Sequence, residues 1–218
     1  GGAFVGVYFI YLMQLANASL NPQLLLILAL IVAGVFGALL SLLHAFAAIN
    51  LKADQTISGT AINMLAPGLG LFLAKLIFNG NSSVPFSNTF RIHEIPVLSQ
   101  IPILGPILFK GAYITTYLGI IILILSVIFL NKTRAGLRLR ACGENPQAAD
   151  AAGVSVYKYR YIGVLLSGFL GGMGGLIYII PISTVFNSDV GGYGFLALAI
   201  LIFGNWQPYR IAAASLFF

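Results

Sequence analysis

The chain has 218 residues, of which 59% are hydrophobic and only 7% are charged, and its mean hydropathy is +0.99. A soluble domain carries about 25% charged residues, so this composition excludes a soluble globular protein and predicts an integral membrane protein. The net charge of +6 does not indicate nucleic-acid binding until the positions of the charges are known. One cysteine and two histidines exclude an intramolecular disulfide and are too few for a metal cluster.

Apolar segments recur along the chain and predict an all-α polytopic membrane protein, since no segment alternates with the period of a membrane barrel. The first, residues 3–16, is short for a span of about 20 residues. Complete spans are predicted at residues 24–49, 57–78, 112–130 and 161–181. Two shorter apolar segments follow, at residues 195–203 and 211–218. Because the chain starts and stops inside apolar segments, we expect the natural protein to be longer at both ends.

Two places in this bundle of helices carry signals of broken or re-entrant backbone. Pro67 and Gly68 lie inside a predicted span, where they loosen the helix; a simple kink is the alternative. The glycines of GGYG, residues 191–194, precede the apolar segment 195–203, which is about half a membrane thick. Irregular backbone at membrane depth is tolerated only where it is buried in protein or lines a cavity.

The polar side chains near these breaks are candidates for a substrate path. They combine hydroxyl and amide groups with one aromatic ring: Ser58, Thr60, Asn63, Asn205 and Trp206. Such groups offer hydrogen bonds and an aromatic surface to an uncharged solute. The alternative for each residue is structural, since Asn63 can bond a neighbouring helix and Trp206 can lie in the interfacial aromatic belt.

The predicted span 161–181 contains the glycine-rich stretch SGFLGGMGG. In it, Gly168 and Gly172 are four residues apart, and so are Gly171 and Gly175. Small residues at this spacing let another helix approach closely, so we expect them to pack against a neighbour. A place along the substrate path is the alternative.

The distribution of charge orients the predicted spans. Of the eleven basic residues, six lie in the polar stretch 131–160. The positive-inside rule therefore places residues 131–160 in the cytoplasm and the connection 79–111 outside. Some of these basic side chains are expected to contact membrane lipid, and a nucleic-acid partner is not expected. The single cysteine, Cys142, lies in the same stretch and should react with thiol reagents only from the cytoplasmic side.

Within this polar stretch, residues 145–153 carry the signals of a short capped helix. Asn145 is a good N-cap, and Pro146 suits the first helical position. Alanines follow, and Gly153 can end the helix in a left-handed turn. A helix of about two turns is not stable alone in water, so it must lie against a partner.

The residues themselves suggest that partner. The stretch that contains the helix reads GLRLRACGENPQAADAAGVSVYKYRYIGVLLSGFLGGMGG. It resembles the cytoplasmic loop and following helix of ABC-importer permeases of the branched-chain amino-acid and ribose type. Two other stretches, DQTISGTAINMLAPGLGLFL and GGYGFLALAILIFGNWQP, resemble the nucleoside branch of that family, which works with a basic-membrane-lipoprotein type of binding protein. The resemblance implies one transmembrane permease domain over residues 1–218, with a cytoplasmic coupling loop at residues 131–160.

The resemblance also implies the partners and the location. It implies a multi-pass protein of the bacterial cytoplasmic membrane, with a cytoplasmic ATPase subunit, a second permease subunit in a homo- or heterodimeric core, and a lipid-anchored binding protein outside. The ATPase contact would comprise Glu144, Asn145, Pro146, Ala149, Asp150 and Gly153. The chain contains no G-x-x-x-x-G-K-[ST] motif, so we expect a transport subunit without cofactor or catalytic residues, and ATP hydrolysis on another subunit.

Three alternatives are weighed against this interpretation. A secondary transporter or channel for a small polar solute commonly keeps carboxylates inside the membrane, yet all five acidic residues here fall in or near predicted loops. An intramembrane enzyme would need a convergent constellation of catalytic residues or a metal site, and none is visible in the spans. Within the permease family, sugars and branched-chain amino acids are the alternative substrates.

Overall fold

The computed structural model describes residues 1–16, 21–92, 111 and 113–218. Its helices are α1 (Gly2–Leu15), α2 (Pro22–Ala45), α3 (Gln55–Ile77), α4 (Ile114–Lys132), α5 (Arg134–Glu144), α6 (Pro146–Ala151), α7 (Val156–Ile182), α8 (Tyr193–Phe203) and α9 (Pro208–Phe217). Two short strands, β1 (Val84–Pro85) and β2 (Val185–Phe186), pair antiparallel. The apolar part of the predicted outer connection, together with Glu94, lies outside the described residues.

Four helices are long and apolar enough to cross a membrane: Pro22–Asn50, Gln55–Ile77, Ile114–Lys132 and Val156–Ile182. Two shorter apolar helices, α1 and α8, accompany them. These helices confirm the prediction of an all-α polytopic membrane protein.

The core of the bundle lies between α1, α2 and α7. The largest side chains that are fully buried there are Val7, Ile10, Leu26, Leu30, Leu176 and Ile180. In a membrane the close fit of such side chains, rather than their removal from water, holds helices together. By contrast, α3 buries only Gly70 and Ala74 among the described residues.

One end of the bundle, which we call the basic end, carries the loop 131–160 and the junction between α2 and α3. Here α2 continues as a π-helical turn, Phe46–Asn50. The side-chain oxygen of Asn50 accepts hydrogen bonds from the hydroxyls of Tyr157, at 2.8 Å, and Tyr161. These bonds tie the end of α2 to the start of α7.

Helix α3 also begins at the basic end, where Asp54 caps it. The Asp54 carboxylate accepts hydrogen bonds from the backbone N–H groups of Thr56 and Ile57, at 2.7 and 3.2 Å. The bonds from Ile57 and Thr56 hold the pKa of Asp54 below its ordinary value. The stabilisation by this cap is therefore present above the ordinary carboxyl pKa and lost as the pH falls through the lowered one.

The opposite end is closed by the segment after α3. The Gln14 amide donates to the Ser87 carbonyl and accepts from its backbone N–H, both at 2.9 Å. The Asn88 amide donates to the Ile180 carbonyl at 2.7 Å. This segment therefore joins the ends of α1 and α7.

The two predicted breaks have different outcomes. Pro67 does not interrupt α3, which is continuous from Gln55 to Ile77, so of the two alternatives the broken helix is not found. The missing N–H of one proline is tolerated inside a helix when the neighbouring turns keep their bonds. The half-length helix is present as α8, whose 11 residues rise about 16 Å. Ahead of it, Ser188 is buried in left-handed backbone (φ +61°), and its side chain lies beside Gly70.

Candidate functional site

The predicted short helix of the loop is present as α6, with both of its predicted caps. The Asn145 side-chain oxygen accepts from the Ala148 backbone N–H at 3.0 Å, and Pro146 is the first helical residue. At the other end Gly153 is left-handed (φ +77°) and its N–H donates to the Asp150 carbonyl at 2.9 Å. The N–H of Val154 donates to the Ala149 carbonyl at 3.0 Å, which completes a Schellman motif.

The loop also contains a helix that the sequence reasoning missed, α5. Its N-cap is Thr133, whose hydroxyl accepts from the Gly136 N–H at 3.1 Å and donates to the Phe129 carbonyl at 2.6 Å. A Cβ at Gly136 would lie 2.0 Å from that carbonyl oxygen, so glycine is required where α5 folds back on α4. Thr133, which is a good N-cap residue, was the available signal.

The residues assigned to an ATPase contact are largely available at the surface. Glu144, Asn145, Asp150 and Gly153 are exposed, and Pro146 is partly exposed. The exception is Ala149, only 6% exposed, which corrects its assignment because it packs α6 against the protein itself. The exposed alanines of the segment are Ala148, Ala151 and Ala152. The sequence alone did not show which of the four alanines is buried. Cys142 is 2% exposed, so the native thiol is a poor probe of the orientation, and the predicted side of labelling stays a prediction.

A cavity of about 610 Å³ lies among α2, α3, α7 and the start of α1. Its polar lining residues are Ser41, His44, Asn63 and Ser167, and the four glycines singled out on α7 line it as well. Ser58 does not line it directly but bonds His44, whose Nδ1 is 3.0 Å from the Ser58 hydroxyl. Thr60 donates to the Thr56 carbonyl of its own helix at 2.8 Å. The cavity therefore contains Asn63 as expected and adds His44 and Ser167.

The four glycines of α7 have different surroundings. A Cβ at Gly168 would lie 2.8 Å from the Gly37 carbonyl oxygen, and one at Gly172 would lie 2.2 Å from that of Ala33. These two glycines pack against α2, as expected. At Gly175 a Cβ would lie 3.2 Å from the methyl of Ala3. At Gly171 a Cβ would meet no described atom within 4 Å, so the expected packing role of Gly171 is not found.

Asn205 and Trp206 do not join Asn63 in this cavity, which corrects their grouping. Because α8 runs about 16 Å toward the basic end, the turn after it lies beside α4 and α5. There the two residues line a second cavity of about 770 Å³, together with Asn131, Arg140 and Glu144. Among the residues that the structure describes, no group of three or more His, Cys, Asp or Glu side chains could hold a metal ion.

Membrane-spanning helices with a capped helix exposed on one end and a cavity between helices are typical of a transport subunit. The chain belongs to the family described as "Branched-chain amino acid transport system / permease component", whose model matches residues 1–218. It is therefore a permease of the ATP-binding-cassette type and a multi-pass protein of the cell membrane. Members of this family generally work with an ATPase and a substrate-binding protein.

Two named relatives cover the whole chain, and a third covers most of it. The chain is 45% identical to the guanosine ABC transporter permease protein NupQ of Bacillus subtilis over 218 residues. This match covers 100% of this chain and 67% of the relative. The chain is 44% identical to the nucleoside ABC transporter permease protein NupC of Lactococcus lactis, with the same coverage. The glucose ABC transporter permease protein TsgB13 of Haloferax volcanii is 25% identical over 208 residues, 93% of this chain and 54% of the relative. No solved structure matches the chain significantly.

Proposed function

We propose that this chain is a permease subunit of an ABC importer that takes up nucleosides. The observation that carries the proposal is the 45% and 44% identity, over the entire chain, to permeases named for guanosine and for nucleosides. The permeases named for glucose are less similar: a putative one, TsgC13 of Haloferax volcanii, is 31% identical over 84% of the chain, and TsgB13 is 25% identical over 93% of it.

The cavity among α2, α3 and α7 supports a neutral solute. Its described lining residues include no Asp, Glu, Lys or Arg, and an unpaired charge there would cost several kcal/mol. The hydroxyls of Ser41 and Ser167, the Asn63 amide and the His44 ring provide hydrogen-bonding groups. Its volume of about 610 Å³ is within the usual range of small-molecule sites.

Uptake by the assembled transporter tests this substrate class. With its binding protein and ATPase present, labelled guanosine should enter vesicles, and excess unlabelled guanosine or uridine should compete. Excess ribose, glucose or leucine should not compete, because these solutes lack the flat heterocyclic base. A transporter with an inactivated ATPase serves as the control for leakage. Competition by ribose or leucine without competition by guanosine or uridine would contradict the nucleoside assignment.

The coupling loop supplies the proposed link to ATP hydrolysis. We place residues 131–160 in the cytoplasm because most of the basic residues lie there. In this orientation α6 docks in a groove of a separate ATPase subunit. Asp150 on α6 and Glu144 at the end of α5 then face basic residues at the rim of the groove. A rigid, capped helix loses little conformational entropy when it docks. A second permease subunit completes the core, and a lipid-anchored binding protein delivers substrate on the outer face.

Thiol labelling tests this orientation. Because native Cys142 is buried, the test uses Cys142→Ala with a new cysteine at exposed Ala152. In intact cells Ala152→Cys should react with a membrane-permeant maleimide but not with an impermeant one. The matched control is Asn81→Cys at the opposite end, which is also exposed and should react with both reagents. The reverse pattern would invert the topology and remove the cytoplasmic assignment of α6.

A further inference from the structure

The second cavity, which we call the basic-end cavity, is not part of the proposed substrate path. It measures about 770 Å³ and lies among the end of α4, helix α5 and the turn between α8 and α9. Its lining residues are Leu130, Asn131, Arg140, Gly143, Glu144, Asn205, Trp206, Gln207, Pro208 and Tyr209. The volume is within the usual range of small-molecule sites.

The chemistry of this lining suits a neutral ligand with a flat ring. Trp206 and Tyr209 offer aromatic surfaces, and the amides of Asn131, Asn205 and Gln207 offer donors and acceptors. Arg140 and Glu144 carry opposite charges, so the lining has no net charge.

Two of these polar groups are already positioned. The Arg140 guanidinium donates to the side-chain oxygen of Asn131 at 3.1 Å, which fixes the orientation of that amide. The side-chain oxygen of Gln207 is buried and has no hydrogen-bond partner in the described part of the chain. A buried acceptor without a partner calls for an explanation. Because this oxygen is shielded from the cavity, a ligand donor reaches it only when the Gln207 side chain rotates toward the cavity.

The backbone of the turn is a second, independent observation. Asn205 and Trp206 are both left-handed, with φ of +49° and +59°. For a bulky residue such as tryptophan this conformation is a genuine outlier. At Asn205 the conformation belongs to the end of α8, because the Asn205 N–H donates to the Ile202 carbonyl at 2.9 Å and the Trp206 N–H to the Leu201 carbonyl at 3.2 Å, as in the Schellman motif that ends α6. At Trp206 packing does not account for it, because this residue is 69% exposed. Strained backbone of this kind is concentrated at binding and switch sites.

We propose that the basic-end cavity binds an imported nucleoside from the cytoplasm, with the base on Trp206, and that this occupancy slows further uptake. The inference rests on the proposed nucleoside function and on the cytoplasmic orientation. The cavity is directly connected to α6, because Glu144 lines the cavity and the next residue, Asn145, is the N-cap of α6. A ligand that contacts both the α8–α9 turn and Glu144 restrains α6, the helix that must move together with the ATPase during transport.

The test uses the complete transporter in proteoliposomes, either empty or preloaded with millimolar guanosine. The measured quantity is the ratio of the uptake rate in preloaded vesicles to that in empty ones. Internal guanosine should lower this ratio severalfold for the wild type, and Trp206→Ala should return it to about one. Trp206→Phe should keep the inhibition because it retains a ring. The matched control is Phe203→Ala, which removes a 71% exposed aromatic just outside the cavity and should behave like the wild type.

A direct readout separates this inference from the proposed transport function. The tryptophan fluorescence that the wild type has and Trp206→Phe lacks should be quenched by guanosine, and leucine should leave it unchanged. Base stacking on an aromatic side chain contributes roughly five- to hundredfold in affinity, and the hydrogen bonds of the lining must supply the rest. The titration is carried to the millimolar guanosine used inside the vesicles. Quenching tests the ligand site even if the vesicles import no nucleoside. Absence of import would refute the proposed function and not the ligand site.

Several results would overturn the inference. One is an uptake ratio near one for wild-type transporter that imports guanosine. Another is a Trp206→Ala variant that remains as inhibited as the wild type. A third is loss of ATP hydrolysis by Trp206→Ala in empty vesicles, which would make the turn a contact for the ATPase rather than a ligand site.

Discussion

Replacing Gly172 with alanine is expected to destabilise the permease by at least about 3 kcal/mol, the upper end of the usual cost of overpacking. A Cβ at this position would lie 2.2 Å from the backbone oxygen of Ala33 and 3.2 Å from the Cα of Gly37. Both are backbone atoms of α2, so no side chain can rotate away to make room. The methyl group fits only if α2 and α7 move apart, which would open the contact that holds the core together.

The adjacent residue provides the matched control for this prediction. At Gly171 a Cβ would meet no described atom within 4 Å, and alanine favours a helix over glycine by up to about 1 kcal/mol. Gly171→Ala should therefore unfold in detergent at the wild-type temperature or above it, whereas Gly172→Ala should unfold at a much lower temperature or aggregate. Equal stability of the two variants would show that α2 and α7 do not approach each other as described.

The contrast between these glycines also shows what the sequence alone does not determine. The i,i+4 spacing identified small residues on α7, but consecutive residues point about 100° apart around a helix. Which of them meets a neighbour depends on how the helices are rotated. Helices that are apolar on every side carry no amphipathic pattern from which this rotation can be predicted.

Local signals were much more informative than long-range ones. The apolar segments predicted the four long helices, and the Asn145 and Gly153 caps predicted α6, because span length and caps depend on neighbouring residues. Helix α5 was missed because it is polar and its glycine at 136 reads as a helix breaker, whereas this glycine allows close contact with α4. The separation of Trp206 from Asn63 depends on the path of α8 through the bundle, a tertiary feature that composition does not encode.

The largest functional effect is expected for Glu144→Ala combined with Asp150→Lys. Both side chains are exposed, Glu144 just before the Asn145 cap and Asp150 in the last turn of α6, so the protein should fold and reach the membrane at wild-type levels. The backbone carbonyl of Asp150 accepts the Gly153 N–H, and this bond is independent of the side chain, so the end of α6 stays intact. Hydrogen bonds to charged groups contribute about 1.5–3 kcal/mol each. Glu144→Ala removes one such bond at the ATPase groove, and Asp150→Lys reverses the charge at the second position. Together they should lower uptake by at least about tenfold.

Coupling, rather than folding, is the property that this double variant must change. The measurements are uptake of labelled guanosine and stimulation of ATP hydrolysis by the loaded binding protein, on transporter of matched amount and melting temperature. Gln147→Ala is the control, because Gln147 is exposed on the same helix but carries no charge. It should keep both activities, since α6 retains its caps and its buried Ala149. If the double variant transports at the wild-type rate with normal stimulation of ATP hydrolysis, the charged residues that flank and end α6 do not form the contact with the ATPase.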